Sequence, residues 1–134
     1  MKFGVRPRLS RPGARACLAA AIALSVALVW ASFAPMAGQL FAYGYRHWIA
    51  HFGAYAALAF LWRRGLPRAP ALAVAAAAAA FGFAQEAIEV AGHAHGFELA
   101  DALTDALGAV FGIVPVARSS KSTEENGVRP HDRL

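Results

Sequence analysis

Five of the chain's eight acidic residues, Glu86, Glu89, Glu98, Asp101 and Asp105, fall between positions 86 and 105. Carboxylates grouped in this way hold a cation, exchange protons as general acid and base, or grip a polar ligand. Imidazoles accompany them. His93 and His95 lie inside the window, and His47 and His51 stand four apart upstream, with Tyr55 four further on. In a helix those three share one stripe. Glu86 and Glu89 are three apart, and Asp101 and Asp105 are four apart, with Gly108 and Gly112 continuing their stripe. No serine is near: Ser10, Ser119, Ser120 and Ser122 lie in polar flanks, and Ser25 and Ser32 lie in a separate apolar run. Thr104 is the one hydroxyl beside the cluster that can act as a nucleophile.

The segments that carry these groups are otherwise apolar. The 134 residues are 58% hydrophobic and 16% charged, with mean hydropathy +0.43. Soluble domains carry about a quarter charged residues. A net charge of +5 raises nucleic acid as a partner. The basic residues, however, edge the apolar runs instead of forming a stripe among aromatics, which excludes that reading. The single cysteine, Cys17, rules out an intramolecular disulfide and a cysteine-based zinc site.

Four runs, at about 16–34, 45–66, 69–91 and 99–117, each offer roughly the 20 residues that cross ~30 Å of hydrocarbon. The first run is too long for a signal-peptide core, and Pro35 would follow the cleavage site, so it reads as an uncleaved helix. Lys2, Arg6, Arg8, Arg11 and Arg15 precede span one. Arg63, Arg64 and Arg68 separate spans two and three, and Arg118, Lys121, Arg129 and Arg133 follow span four. Only Arg46 falls on the other side. The expected fold is an all-α, polytopic four-transmembrane-helix bundle with both termini cytoplasmic. Residues 1–118 form the membrane domain, and 119–134 read as a disordered polar tail. Phe41, Tyr43, Tyr45 and Trp48 make an aromatic collar at the outer interface, and Trp62 marks the inner one.

With that topology, spans two, three and four place their ionisable residues near the outer end of the bundle. A carboxylate at the centre of a membrane helix costs about 2.5–3.5 kcal/mol, and such groups turn toward the bundle interior or a water-filled cavity. The expectation is an outward-opening polar pocket with His51, Tyr55, Glu86, Glu89, His95, Asp101 and Asp105 as ligand-binding candidates. Glu98 and Asp101 also suit the N-terminal end of span four, where Glu98 reads as a cap. A hydrogen-bond network that simply ties the helices together is the structural alternative.

The same residues resemble the VanZ-like family of small bacterial membrane proteins. His51-Phe52-Gly53-Ala54-Tyr55 reproduces the family's His-Phe-x-x-Tyr element, Glu86 and Asp101 stand at its Glu and Asp positions, and Gly108 keeps its glycine. Glu89 stands where Gln is usual, His95 where Arg is usual, Asp105 where Asn is usual, and His47 where an Asp is usual. The likeness runs from about residue 20 to 116. These departures add negative charge and weaken the fixed positive one, which makes the site more cation-friendly.

The resemblance implies a multi-pass protein of the bacterial inner membrane, in a family whose founding member is associated with resistance to the lipoglycopeptide teicoplanin. The leading expectation is a non-enzymatic protein that engages a lipid-linked or amphipathic cell-envelope ligand, with the lipid bilayer as its other partner and no required cofactor. A metal-dependent or acid/base enzyme at the outer leaflet is the second reading, with a divalent cation held among His47, His51, Glu86 and Asp101. The zinc-protease pattern is absent, because Trp48 follows His47 where that motif needs Glu. A cation-coupled transporter subunit is the third, and four short helices would need a homo-oligomer for it.

Overall fold

The computed structural model describes residues 12–33, 45–92 and 97–114. They form four helices: α1 (Pro12–Phe33), α2 (Tyr45–Gly65), α3 (Ala71–Gly92) and α4 (Leu99–Ile113). No strand occurs among the described residues. Arg15 lies within α1, whereas Lys2, Arg6, Arg8 and Arg11, Phe41 and Tyr43 of the collar, His93, His95 and the 119–134 tail lie outside the described residues.

Local chemistry sets the helix ends. Pro67 occupies the second position of the Leu66–Ala69 turn, closed by the Ala69 N–H to the Leu66 carbonyl at 3.0 Å. Pro70 lacks an N–H but supplies its carbonyl to Val74 N–H at 3.1 Å, which starts α3. The fourth apolar run extends to Ala117, but its helix stops at Ile113. Val114 is extended, at φ −62° and ψ 125°. It precedes Pro115, whose ring disfavours helical geometry in the residue before it.

Parallel and antiparallel relations follow from which residues meet. His47 reaches Asp101 and His51 reaches Asp105, a constant separation of 54 positions, so α2 and α4 run parallel. Tyr55 meets Gln85, and Trp62 packs on Phe81, so α2 and α3 run antiparallel. α2 and α4 make the most extensive contact in the bundle. A Cβ on Gly108 would collide with the Phe52 carbonyl, and one on Gly112 with the Ala56 carbonyl. Two glycines four apart thus let α4 lie directly on the α2 backbone, as small residues do where helices pack closely.

The interior is small and partly polar. Ala59, Ala78 and Ala109 form its apolar centre, with Trp62 and Ile113 against them. Tyr55 and Leu58 are the only large side chains that are fully buried among the described residues. The larger apolar groups face outward instead, including Ile22, Val26 and Trp30 of α1, Leu72 of α3, and Leu103, Leu107 and Phe111 of α4. Ser25 and Ser32 of α1 donate to carbonyls four residues earlier, which satisfies their hydroxyls within their own helix.

Two helices are long and apolar enough to cross a membrane: Gly13–Phe33, at mean hydropathy 2.2, and Ala71–Ala91, at 1.6. α4, with 15 residues, is about 22 Å long at 1.5 Å per residue. α2 is 21 residues long and includes Arg46, His47, His51, Arg63 and Arg64.

The glycine contacts predict a graded series. Gly112→Ala should lower stability by about 1–3 kcal/mol, the usual cost of forcing atoms into a packed contact, and Gly108→Leu should abolish the folded bundle. Gly53→Ala, whose Cβ meets nothing within 4 Å, should leave stability within about 0.5 kcal/mol of the parent. Thermal unfolding in detergent, followed by circular dichroism, would rank the three.

Candidate functional site

The parallel register of α2 and α4 turns two i,i+4 stripes into two rungs. His47 Nε2 lies 2.7 Å from Asp101 Oδ2, and one turn along, His51 Nδ1 lies 2.9 Å from Asp105 Oδ1. An ionised carboxylate only accepts, so the imidazole N–H donates in each pair. The two rings sit 4.5 Å apart, centroid to centroid, tilted by 50°. Asp101 and Asp105 are buried, at 4% and 3% exposure, whereas both histidines are half-buried.

The third member of the α2 stripe engages α3. Tyr55 OH donates to Gln85 Oε1 at 2.7 Å. Gln85 Nε2 in turn donates to the Leu28 carbonyl of α1 at 3.3 Å and reaches Glu89 Oε1 at 3.5 Å. Gly82 completes this face of α3: a Cβ there would lie 2.9 Å from Asp105 Cβ and 3.2 Å from Tyr55 Cε1. α3 can therefore close over the lower rung only because Gly82 has no side chain.

Glu86 works from the opposite direction. Its buried carboxylate accepts the Glu98 backbone N–H at 2.6 Å, which ties the start of α4 to the end of α3. Glu98 occupies the N-cap position, but its side chain makes no capping hydrogen bond, so the expected role as a cap is not what its carboxyl does. The nearness of the Asp101 carboxyl, with burial and the charge of Glu86, holds the Glu98 carboxyl above the usual carboxylate range. Asp101 Oδ1 is buried and takes no hydrogen bond from any N–H among the described residues.

Of the seven ligand-binding candidates, six gather where α2, α3 and α4 meet. His51, Tyr55, Asp101 and Asp105 make direct pairs, Glu86 holds the α4 start, and Glu89 stands at the edge through Gln85. His95 lies outside the described residues. His47, which the spacing alone treats as an interface marker and metal candidate, is a full member of the upper rung. Gln85 was missed. Its signal was its place on the Gly82, Gln85, Glu89 stripe, three and four residues from its neighbours. Thr104 is not part of the network: its hydroxyl donates to the Ala100 carbonyl at 2.8 Å.

Chemically, the assembly offers two imidazole–carboxylate pairs side by side, next to a neutral Tyr–Gln–backbone relay. The first can exchange protons or bind a cation; the second ties helices together. A double-mutant cycle on His51→Ala and Asp105→Ala should give a coupling of about 0.5–3 kcal/mol in thermal unfolding. Tyr55→Phe should cost about 1–3 kcal/mol, because Gln85 Oε1 loses its buried donor. Comparison with family models, with curated proteins and with solved structures finds no match to this chain.

Proposed function

We propose that this chain is a four-span VanZ-like protein of the bacterial inner membrane that engages a lipid-linked or amphipathic envelope ligand at its outer-facing polar site. The observation that carries the reading is the burial of polar groups beside small alanines while large apolar groups face outward. Gln85, Glu86, Asp101 and Asp105 are buried, while Trp30, Leu72, Leu107 and Phe111 are exposed. In water those large apolar groups would lie against solvent, and extended apolar patches mark interaction or membrane surfaces. In a bilayer it is the expected one, since hydrocarbon accepts the apolar groups and the bundle interior must satisfy the polar ones.

The same logic accounts for α2 and α4 as spans. Arg46 sits at one end of α2, and Arg63 and Arg64 at the other, with Arg64 stacked on the Phe60 ring at 4.9 Å. Terminal arginines extend to the interfaces. His51 and Tyr55, the polar groups left in the helix interior, are both paired. α4 is short, and the apolar run through Ala117 supplies further length in sequence. Under this topology the His47–Asp101 rung faces the outer side, where an envelope ligand with a cationic or hydrogen-bonding group would meet it. The resemblance extends the proposal to tolerance of lipoglycopeptides.

Expression of Glu86→Ala, Asp101→Ala and His51→Ala in a strain lacking the parent gene would test the reading. Each variant should remain in the membrane fraction and lose the parent's contribution to glycopeptide tolerance. Full tolerance in all three, at parental abundance, would reduce the network to a structural role. Reporters fused to either terminus should both score as cytoplasmic.

A further inference from the structure

We propose that His47, His51 and Asp101 form a binding site for a zinc-class divalent cation. The inference goes beyond the envelope reading and does not depend on it, because it rests only on the packing of α2 against α4.

The donor set comes first. One ligand atom from each of the three residues lies within 4.8 Å of the other two. Two imidazoles and a carboxylate suit zinc, with manganese and iron as related occupants. Around a tetrahedral ion with bonds of 2.0–2.1 Å, neighbouring donors stand about 3.3 Å apart. His47 Nε2 and Asp101 Oδ2, at 2.7 Å, are closer than that, so the pair must open slightly while His51 closes in, and the Nε2 hydrogen of His47 must give way to the ion, the ring taking its Nδ1–H tautomer.

Two independent features point to an ion. Asp101 is 96% buried, at 4% exposure, and its Oδ1 has no hydrogen-bond partner among the described residues. Native structures rarely leave such an atom unsatisfied, and a bound ion is one of the recognised reasons. His51 also has the supporting hydrogen bond that metal-bound histidines usually have. Its Nδ1 donates to Asp105 Oδ1 at 2.9 Å, which fixes the tautomer and leaves the Nε2 lone pair free for the metal. Asp105 thereby acts on the ion through His51 as a positioning residue.

The surroundings favour a cation over an anion. Asp105, Glu86, Glu89 and Glu98 are the other charged groups on the facing surfaces of α3 and α4, and all are acidic. Three protein ligands leave a fourth tetrahedral position, the pattern of sites that exchange a bound water for a ligand. Both histidines retain some exposure, 31% for the His47 side chain and 22% for that of His51, so the ion has a route in.

The test uses the full chain purified in detergent, treated with chelator and titrated with zinc sulfate alone by calorimetry, with cobalt absorption as a second readout. The parent chain should bind one zinc per chain. His51→Ala and Asp101→Asn should lose that binding, and Asp101→Asn keeps the side-chain shape if the alanine variant fails to fold. Asp105→Asn should keep the one-to-one stoichiometry and weaken affinity by roughly 10–100-fold, which loss of a remote structural contact would not do. Glu86→Gln, which removes a neighbouring charge but no ligand, should keep the one-to-one zinc stoichiometry, so lost glycopeptide tolerance with zinc still bound would bear on the envelope reading alone. Absence of zinc binding by folded parent chain, or unchanged stoichiometry in both His51→Ala and Asp101→Asn, would overturn the site.

Discussion

The bundle depends on how closely α4 can approach α2. Gly108 and Gly112 lie against the Phe52 and Ala56 carbonyls, where any side chain would force the helices apart. Because the two helices are parallel, that contact also sets the register one and two turns away. His47 then falls opposite Asp101, and His51 opposite Asp105. An imidazole and a carboxyl have short reach, so a helix displaced by the width of a methyl group would break both rungs. The glycine contact and the polar site are therefore one structural unit.

Around that unit the small interior mixes alanines with buried polar groups, and the larger apolar side chains face outward. Tyr55 and Leu58 are the large buried groups, alanines fill the rest, and the buried carboxylates are each held by a specific partner or by the geometry of a helix start. Most buried polar groups find a donor or acceptor, as they must where water cannot reach. Tyr55, Gln85 and the Leu28 carbonyl carry this satisfaction across three helices. Asp101 Oδ1 is the exception among the described residues.

Several elements were legible in the chain itself. The four apolar runs anticipated four helices within a few residues at most ends, and Pro67 and Pro70 marked the turn between the second and third. The i,i+4 spacing of His47, His51 and Tyr55, and of Asp101, Asp105 and Gly108, identified the stripes that meet. The end of α4 was less legible, because hydropathy continues past Val114 while proline geometry does not allow the helix to. Glu98 does stand at the N-cap of α4, as its position suggested, but its carboxyl makes no capping hydrogen bond, which position along the chain does not reveal.

What the sequence by itself determined is the helical class, the placement of charge at the ends of apolar runs, and which residues share a helical face. Those properties follow from spacing along one chain, which a period of 3.6 residues converts directly into a face. What only the tertiary structure decided is which face meets which. The pairing of His47 with Asp101 across 54 positions, the recruitment of Gln85 to Tyr55, and the seating of Gly82 against Asp105 all depend on the separation and direction of neighbouring helices. Helix periodicity contains no information about that separation. It is set by the sizes of side chains at the contact, summed over every helix that packs there.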